Sequence, residues 1–308
     1  MAGSLGRLLA REQRAFLDRD RQGWEGHLAR VRAFLGEGLA RADRIRPVLI
    51  LGAGSGLEVP WAIAPPGSVG WDADPWSRLR TFLRHRRWAP WIFDDLTSAM
   101  AELDSLAGRC VREPWGAQRP RSRTQARALV AGLLHSSSPQ PDALQAWLQQ
   151  HRPGTILSAN VIGQFGAVAQ RALGNRLGEW WGEAFPPEDL TEALEAWLAR
   201  ILRAQLRVLA ESGAELWLVY DRGVVHGGEN LSLEPLTDPW PAQIQGLGFA
   251  ELEDPLAGID VVGELRNLGR VFDRKERWLW SLAPGQTHLV EAVAASGSGT
   301  VEPGPPLL

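Results

Sequence analysis

The chain is 308 residues long, with 44% hydrophobic and 22% charged residues, the proportions of a soluble globular protein able to bury a substantial core. A net charge of −3 argues against a protein built mainly to hold nucleic acid. No stretch approaches the roughly 18 apolar residues of a membrane span, so neither nucleic acid nor a membrane is an expected partner. The opening residues turn charged too early for a signal peptide, which makes the cytoplasm the expected location. Cys110 is the only cysteine and Lys275 the only lysine. The first fact excludes an intrachain disulfide and a cysteine-based zinc cluster, and no metal site is expected. The second points to compositional bias, so arginine richness says little about function.

Taken in order, residues 7–42 read as helix, with Trp24, Leu28, Val31, Leu35 and Leu39 at spacings of three and four. Val48-Leu49-Ile50-Leu51 is a continuous apolar run of the kind a parallel strand buried on both faces requires. It leads directly into Gly52-Ala53-Gly54-Ser55-Gly56. A second strand fits 68–71 and ends at Asp72. Residues 75–87 read as helix with Leu79, Phe82 and Leu83 inward, and 91–93 as a third strand ending at Asp94-Asp95. A short helical pattern covers 97–107, and 108–153 reads as an insertion with one or two helices. A fourth strand fits 155–159 and ends near Asn160, and a second insertion covers 162–188. The clearest helix is 189–212, stopped by Gly213. The fifth strand is 215–220. Runs at 278–282 and 288–293 read as an antiparallel hairpin, and the Gly/Ser/Pro-rich tail from Ser296 is expected to be unstructured.

Strands alternating with helices imply a parallel sheet with right-handed crossovers, whose ligands bind beyond the carboxyl ends of the strands. That edge would gather the glycine turn, Asp72, Asp94, Asp95, Asn160 and Asp221. The glycines permit positive φ and close approach of a ligand. Asp72, at the next strand end, suits a ribose. A dinucleotide site prefers Gly-x-Gly-x-x-Gly, but the sixth position here is Leu57. The compact Gly52-x-Gly54-x-Gly56 turn therefore suits a cofactor without a pyrophosphate.

These segments resemble the motifs of class I, Rossmann-like S-adenosylmethionine-dependent methyltransferases. Residues 48–56 look like the first motif, 69–75 (Val-Gly-Trp-Asp-Ala-Asp-Pro) like the second, and 93–96 like the third. Residues 156–161 stand where the fourth would be. The resemblance implies an α/β fold with a seven-stranded, mostly parallel sheet and a C-terminal antiparallel hairpin. Helices would cover both faces. It divides the chain into an N-terminal helical extension (1–46), a methyltransferase-like domain (47–295) with insertions near 108–153 and 162–188, and a tail (296–308). It implies S-adenosylmethionine as cofactor, held by Gly52, Gly54, Gly56, Asp72, one of Asp94 and Asp95 (Asp95 preferred, for adenine), and Asn160. Asp74 would cap the following helix. Asn160, Tyr220 and His226 are candidates for work on the acceptor, a small molecule or a protein. Gln164 and Trp180-Trp181 would lie nearby.

The sequence departs from the family at Leu51, where an acidic residue often precedes the first glycine. The fourth motif lacks both the Asn-Pro-Pro-Tyr and the Pro-Cys runs of base-methylating enzymes. A non-catalytic relative remains an alternative, and a nicotinamide-dependent oxidoreductase is a weaker one.

Overall fold

Strand β1 (Val48–Leu51) is buried at all four positions, as its unbroken apolar run requires. It lies between β2 (Val69–Trp71) and β4 (Thr155–Ala159), parallel to both, with Leu49 opposite Val69 on one side and Ile156 on the other. Strand β3 (Trp91–Ile92) extends the sheet beyond β2, and β5 (Glu215–His226) runs parallel to β4. After β6 (Glu251–Glu253) the chain ends in a hairpin, β7 (Val271–Ala283) and β8 (Gln286–Ser296). The order is β3-β2-β1-β4-β5-β8-β7, with β8 antiparallel to both neighbours. These features belong to a computed structural model that describes residues 21–54, 56–99, 102, 103, 105, 123–138, 140–162, 173, 190–227, 251–283 and 285–297.

This is the expected Rossmann-like sheet of seven strands with a parallel core and a reversed C-terminal hairpin, and among the described residues one short strand pairs beside it. The additional strand is β6, which pairs antiparallel with the far end of β5 through Val224 to His226. β5 reaches that far because its register shifts between Asp221 and Gly223. A bulge absorbs Asp-Arg-Gly, a triplet that reads as a turn in sequence.

The period of two sorts the strands' side chains into two layers. Leu49, Leu51, Ile156, Leu216 and Leu218 face one core, with α4 (Asp142–His151), α5 (Thr191–Glu211) and α6 (Val261–Asn267) over it. Val48, Ile50, Leu157, Trp217 and Val219 face the other, covered by α1 (Arg21–Arg41). The predicted inner face of α1, Trp24 through Leu39, is buried there. Helix α3 (Arg123–Ser136) packs on α5 through Val130 and Leu134. The inserted helices are thus present in the first insertion. Residues 106–122, the 163–189 region apart from Leu173, and 298–308 lie outside the described residues. With them go Cys110, Gln164, Trp180-Trp181 and the tail.

Helix α2 (Ser77–His85) contradicts the sequence reading. Its buried residues are Ser77 and Thr81, whereas Leu79 and Leu83 are exposed. The inner side faces Gly56, where only small side chains fit: a Cβ on Gly56 would come within 2.8 Å of Thr81 Oγ1. Among the described residues, no helix is long and apolar enough to cross a membrane, and no group of side chains is set to hold a metal ion.

Candidate functional site

At the carboxyl end of β1 the chain turns through Gly52, Gly54 and Gly56, with φ of +63°, +50° and +69°. Only glycine adopts these values without strain, but the three serve different ends. A Cβ on Gly52 would sit 1.7 Å from Val161 Cγ2 and 3.1 Å from the Ala159 carbonyl oxygen, so this glycine lets the loop after β4 close on β1. Gly56 makes room for α2, and His85 Nε2–H donates to its carbonyl at 2.8 Å. A Cβ on Gly54 would meet nothing nearer than its own loop's Gly52 oxygen, at 3.6 Å. Among the described residues, packing does not demand glycine at 54, and no other side chain stands in front of it.

Asp72 closes the turn from the end of β2. Its Oδ2 accepts the Gly54 N–H at 2.7 Å and its Oδ1 the Asp74 N–H at 2.7 Å. Burial pushes its pKa up to about 6, against the lowering effects of the Gly54 N–H, the Ser77 hydroxyl and the Arg80 guanidinium. Each carboxylate oxygen has two lone-pair directions, so two backbone donors leave acceptor capacity for a pair of hydroxyls. Asp74 is structural but is not the N-cap of α2, which is Trp76: its Oδ1 accepts the Trp76 N–H at 3.0 Å in the turn leading into the helix, and the carboxylate pairs with Arg80.

The third-strand acids divide in the order opposite to that expected. Asp95 Oδ1 accepts both the Thr97 N–H (3.0 Å) and the Thr97 hydroxyl (2.9 Å), which makes Asp95 the local cap. Asp94 is exposed, with Oδ1 on the Asp95 N–H and its backbone oxygen on Trp71 Nε1. Asp94 is therefore the more available carboxylate at that edge.

Beyond β4 and β5 the candidates fare differently. Asn160 is fully buried at φ +54°. Its amide oxygen accepts the Asp221 N–H at 3.1 Å, and its Nδ2 donates to Asp221 Oδ2 at 3.3 Å. It clasps two strand ends. Tyr220 is buried with its hydroxyl on Glu291 at 2.5 Å, and burial first, then the Glu291 charge, hold its pKa well above 10. Such a phenol is not available as a base. His226 lies at the protein surface against Glu253, 3.3 Å away. None of the three projects as a free reactive group toward the glycine turn.

A different polar cluster occupies that side. His288 Nδ1 lies 3.1 Å from Asp221 Oδ2. Trp280 packs beside His288, with ring centroids 5.2 Å apart, and stacks on His27 at 3.9 Å. Trp278 Nε1 donates to His27 Nδ1 at 3.2 Å, which fixes the His27 proton on Nε2, facing Glu58 Oε1 at 3.4 Å. Trp24 Nε1, Trp280 Nε1 and Asp221 Oδ1 are buried without a hydrogen-bond partner among the described residues. Sequence reasoning missed this cluster because its members come from α1, the glycine-turn exit, β5, β7 and β8. Only Asp221, at a strand end, carried a signal.

The glycines give a direct check on the site. Gly52→Ala should lower stability by about 3 kcal/mol, from overpacking and positive-φ strain. Gly54→Ala should cost only the strain, roughly 1 kcal/mol. Chemical denaturation of the two variants compares them, and equal losses would mean that Gly54 is also a packing residue.

No protein-family model matches the chain, and no curated protein matches it. Among solved structures it is similar to the N-methyltransferase NodS from Bradyrhizobium japonicum WM9 in complex with S-adenosyl-L-homocysteine. The identity is 12% and the TM-score 0.36, over 87% of this chain and 86% of that one. So loose a likeness transfers no chemistry.

Proposed function

We propose that this protein binds S-adenosylmethionine and transfers its methyl group to an acceptor. One observation carries the reading: the Asp72 carboxylate and the Gly54 N–H meet at 2.7 Å on the carboxyl edge of a parallel sheet, where no side chain of the described residues stands in front of Gly54. Ligands of open α/β sheets bind at that edge. The cofactor would supply an electrophilic methyl on a sulfonium. The chain's residues would bind and orient it: the glycine turn lies along it, Asp72 takes ribose hydroxyls, and Asp94, rather than Asp95, meets the adenine amine.

Such a reaction needs mainly proximity and alignment, since displacement at a sulfonium methyl requires only an aligned nucleophile. The acceptor, a small molecule or a protein, would approach over β4 and β5. If that step uses a base, His288 on Asp221 is a better-held imidazole than His226. The non-catalytic relative stays as a second reading because Asn160 and Tyr220 are consumed by contacts within the fold.

Thermal-shift titration tests the cofactor assignment. S-adenosylhomocysteine at a hundredfold excess over its Kd should add about 2.7 kcal/mol by mass action, a rise of roughly 4 °C for a chain of this size. NAD and NADP should leave the melting temperature unchanged. A shift with NAD alone would replace the methyltransferase reading with the oxidoreductase one.

A further inference from the structure

Helix α2 wears its apolar residues on the outside. Ser77, Thr81 and His85 recur every four residues toward the glycine turn, and Trp76, Leu79 and Leu83 recur at three and four on roughly the opposite side. Trp76 is 50% exposed and Leu83 55%. The apolar surface continues past the helix. Trp88, 55% exposed, stacks on Phe82 with centroids 4.4 Å apart, and Phe93 is stacked beside Trp91. Ile63 is also exposed, and its turn is tied to the helix exit by Arg87, which donates to the Trp61 and Ala62 carbonyls. Burying leucine and tryptophan is ordinarily favourable by some 1.5–3 kcal/mol each. A cluster left exposed marks an interaction surface.

Charge identifies the partner. Residues 75–93 contain five arginines and neither aspartate nor glutamate, in a chain whose net charge is −3. Arg80 is paired with Asp74, but Arg78 lies over the Trp88 ring at 4.5 Å and Arg86 is exposed. We propose that this face docks on the surface of an anionic lipid bilayer. Leucine and isoleucine would enter the headgroup–acyl boundary, the tryptophans would sit at headgroup depth, and the arginines would meet lipid phosphates. A second copy of the chain fits less well, because a two-fold contact would set the arginines against each other. Single-stranded nucleic acid fits less well because Leu79, Leu83 and Ile63 neither stack on bases nor pair with phosphates.

The contact is superficial: nine helical residues are about 14 Å long, far short of a span. The lack of a long apolar stretch argues against a span and leaves a surface contact of this kind open, and reading Leu79 and Leu83 as core residues hides the face from the sequence.

Flotation of the full chain with vesicles tests the proposal. The protein should float with vesicles of equal parts phosphatidylcholine and phosphatidylglycerol, stay behind with phosphatidylcholine alone, and detach in high salt. Leu79→Glu combined with Leu83→Glu should abolish flotation with an unchanged melting temperature, since both side chains face solvent. Leu79→Ser with Leu83→Ser repeats the test without added charge. Arg78→Ala and Arg86→Asn should each weaken binding about fivefold. No flotation on anionic vesicles, or flotation indifferent to the leucine variants, would overturn the proposal. So would sedimentation showing self-association that the leucine variants abolish, which would give the face to a second copy. Binding of labelled single-stranded RNA without vesicle binding, lost in Arg78→Ala, would give it to nucleic acid.

Discussion

Asp72→Ala is expected to weaken S-adenosylhomocysteine by about 30- to 150-fold, or roughly 2–3 kcal/mol, the range for losing hydrogen bonds to a charged group. Two losses combine. The free acceptor sites of the carboxylate disappear, and the Gly54 N–H loses the partner that holds the turn closed. Asp74→Ala should leave affinity nearly intact and lower stability instead, because it removes the acceptor of the Trp76 N–H and an ion pair with Arg80. Isothermal titration and melting of both variants separate the roles. The opposite pattern would exchange them, and small effects from both would move the ribose site away from this strand end.

The raised pKa of Asp72, about 6, gives the same carboxylate a pH signature. Ribose hydroxyls donate to the ionised form, so affinity should fall as pH drops through about 6 and level off above it. Stability runs the other way. An acid whose pKa is higher in the folded state than its ordinary 3.8 binds protons more tightly when folded. Its contribution is present below about 4 and is lost as pH rises to about 6. Asp72→Asn should flatten both trends. An affinity profile of Asp72→Asn that still bends near pH 6 would assign the titration to another group.

The glycine turn and Asp72 were legible in the sequence because each rests on local chemistry: an apolar run, a turn that demands positive φ, and an acid at the next strand end. The hairpin was legible in place but not in length. Residues 271–277 are two apolar residues followed by five charged ones, Asp273 to Arg277, none of them buried, so the strand shows no apolar periodicity there. β6 and the far half of β5 were hidden behind Asp221-Arg222-Gly223, since a bulge and a turn use the same residues. The α2 reading failed for a different reason. Amphipathic periodicity assigns the apolar stripe to the core, but the close approach of Gly56 admits only Ser77, Thr81 and the ring of His85 on the inner side. The Asp94–Asp95 order turned on which carboxylate reaches the Thr97 N–H, a backbone detail that composition does not contain. Residues paired across 61 positions, such as Asn160 and Asp221, become partners only once β4 and β5 are adjacent.

Arg270→Ala is expected to destabilise the fold by about 3–5 kcal/mol while leaving S-adenosylhomocysteine affinity unchanged. The guanidinium is almost fully buried, and burial lowers its pKa. No carboxylate pairs with it among the described residues. It donates instead to the carbonyls of Leu209 (2.9 Å), Ala210 (2.7 Å) and Ala214 (2.6 Å), where α5 ends and β5 begins. The last carbonyls of a helix lack intrahelical donors and carry the negative end of its dipole, so a fork of N–H groups satisfies several of them with one side chain. Truncation would strip the Ala210 and Ala214 carbonyls of this donor, leave the Leu209 carbonyl to Ser212 alone, and open a cavity beside them. Arg270→Lys should recover only part of the loss, since a single ammonium lacks the planar spread that reaches both Nη1 and Nη2 acceptors. The site lies at the amino-terminal edge of β5, across the sheet from the glycine turn. Denaturant unfolding beside ligand titration therefore distinguishes the two edges. A large loss of affinity in a folded Arg270→Ala protein would mean that the two edges are coupled and that the cofactor site is not as locally built as Gly54 and Asp72 make it.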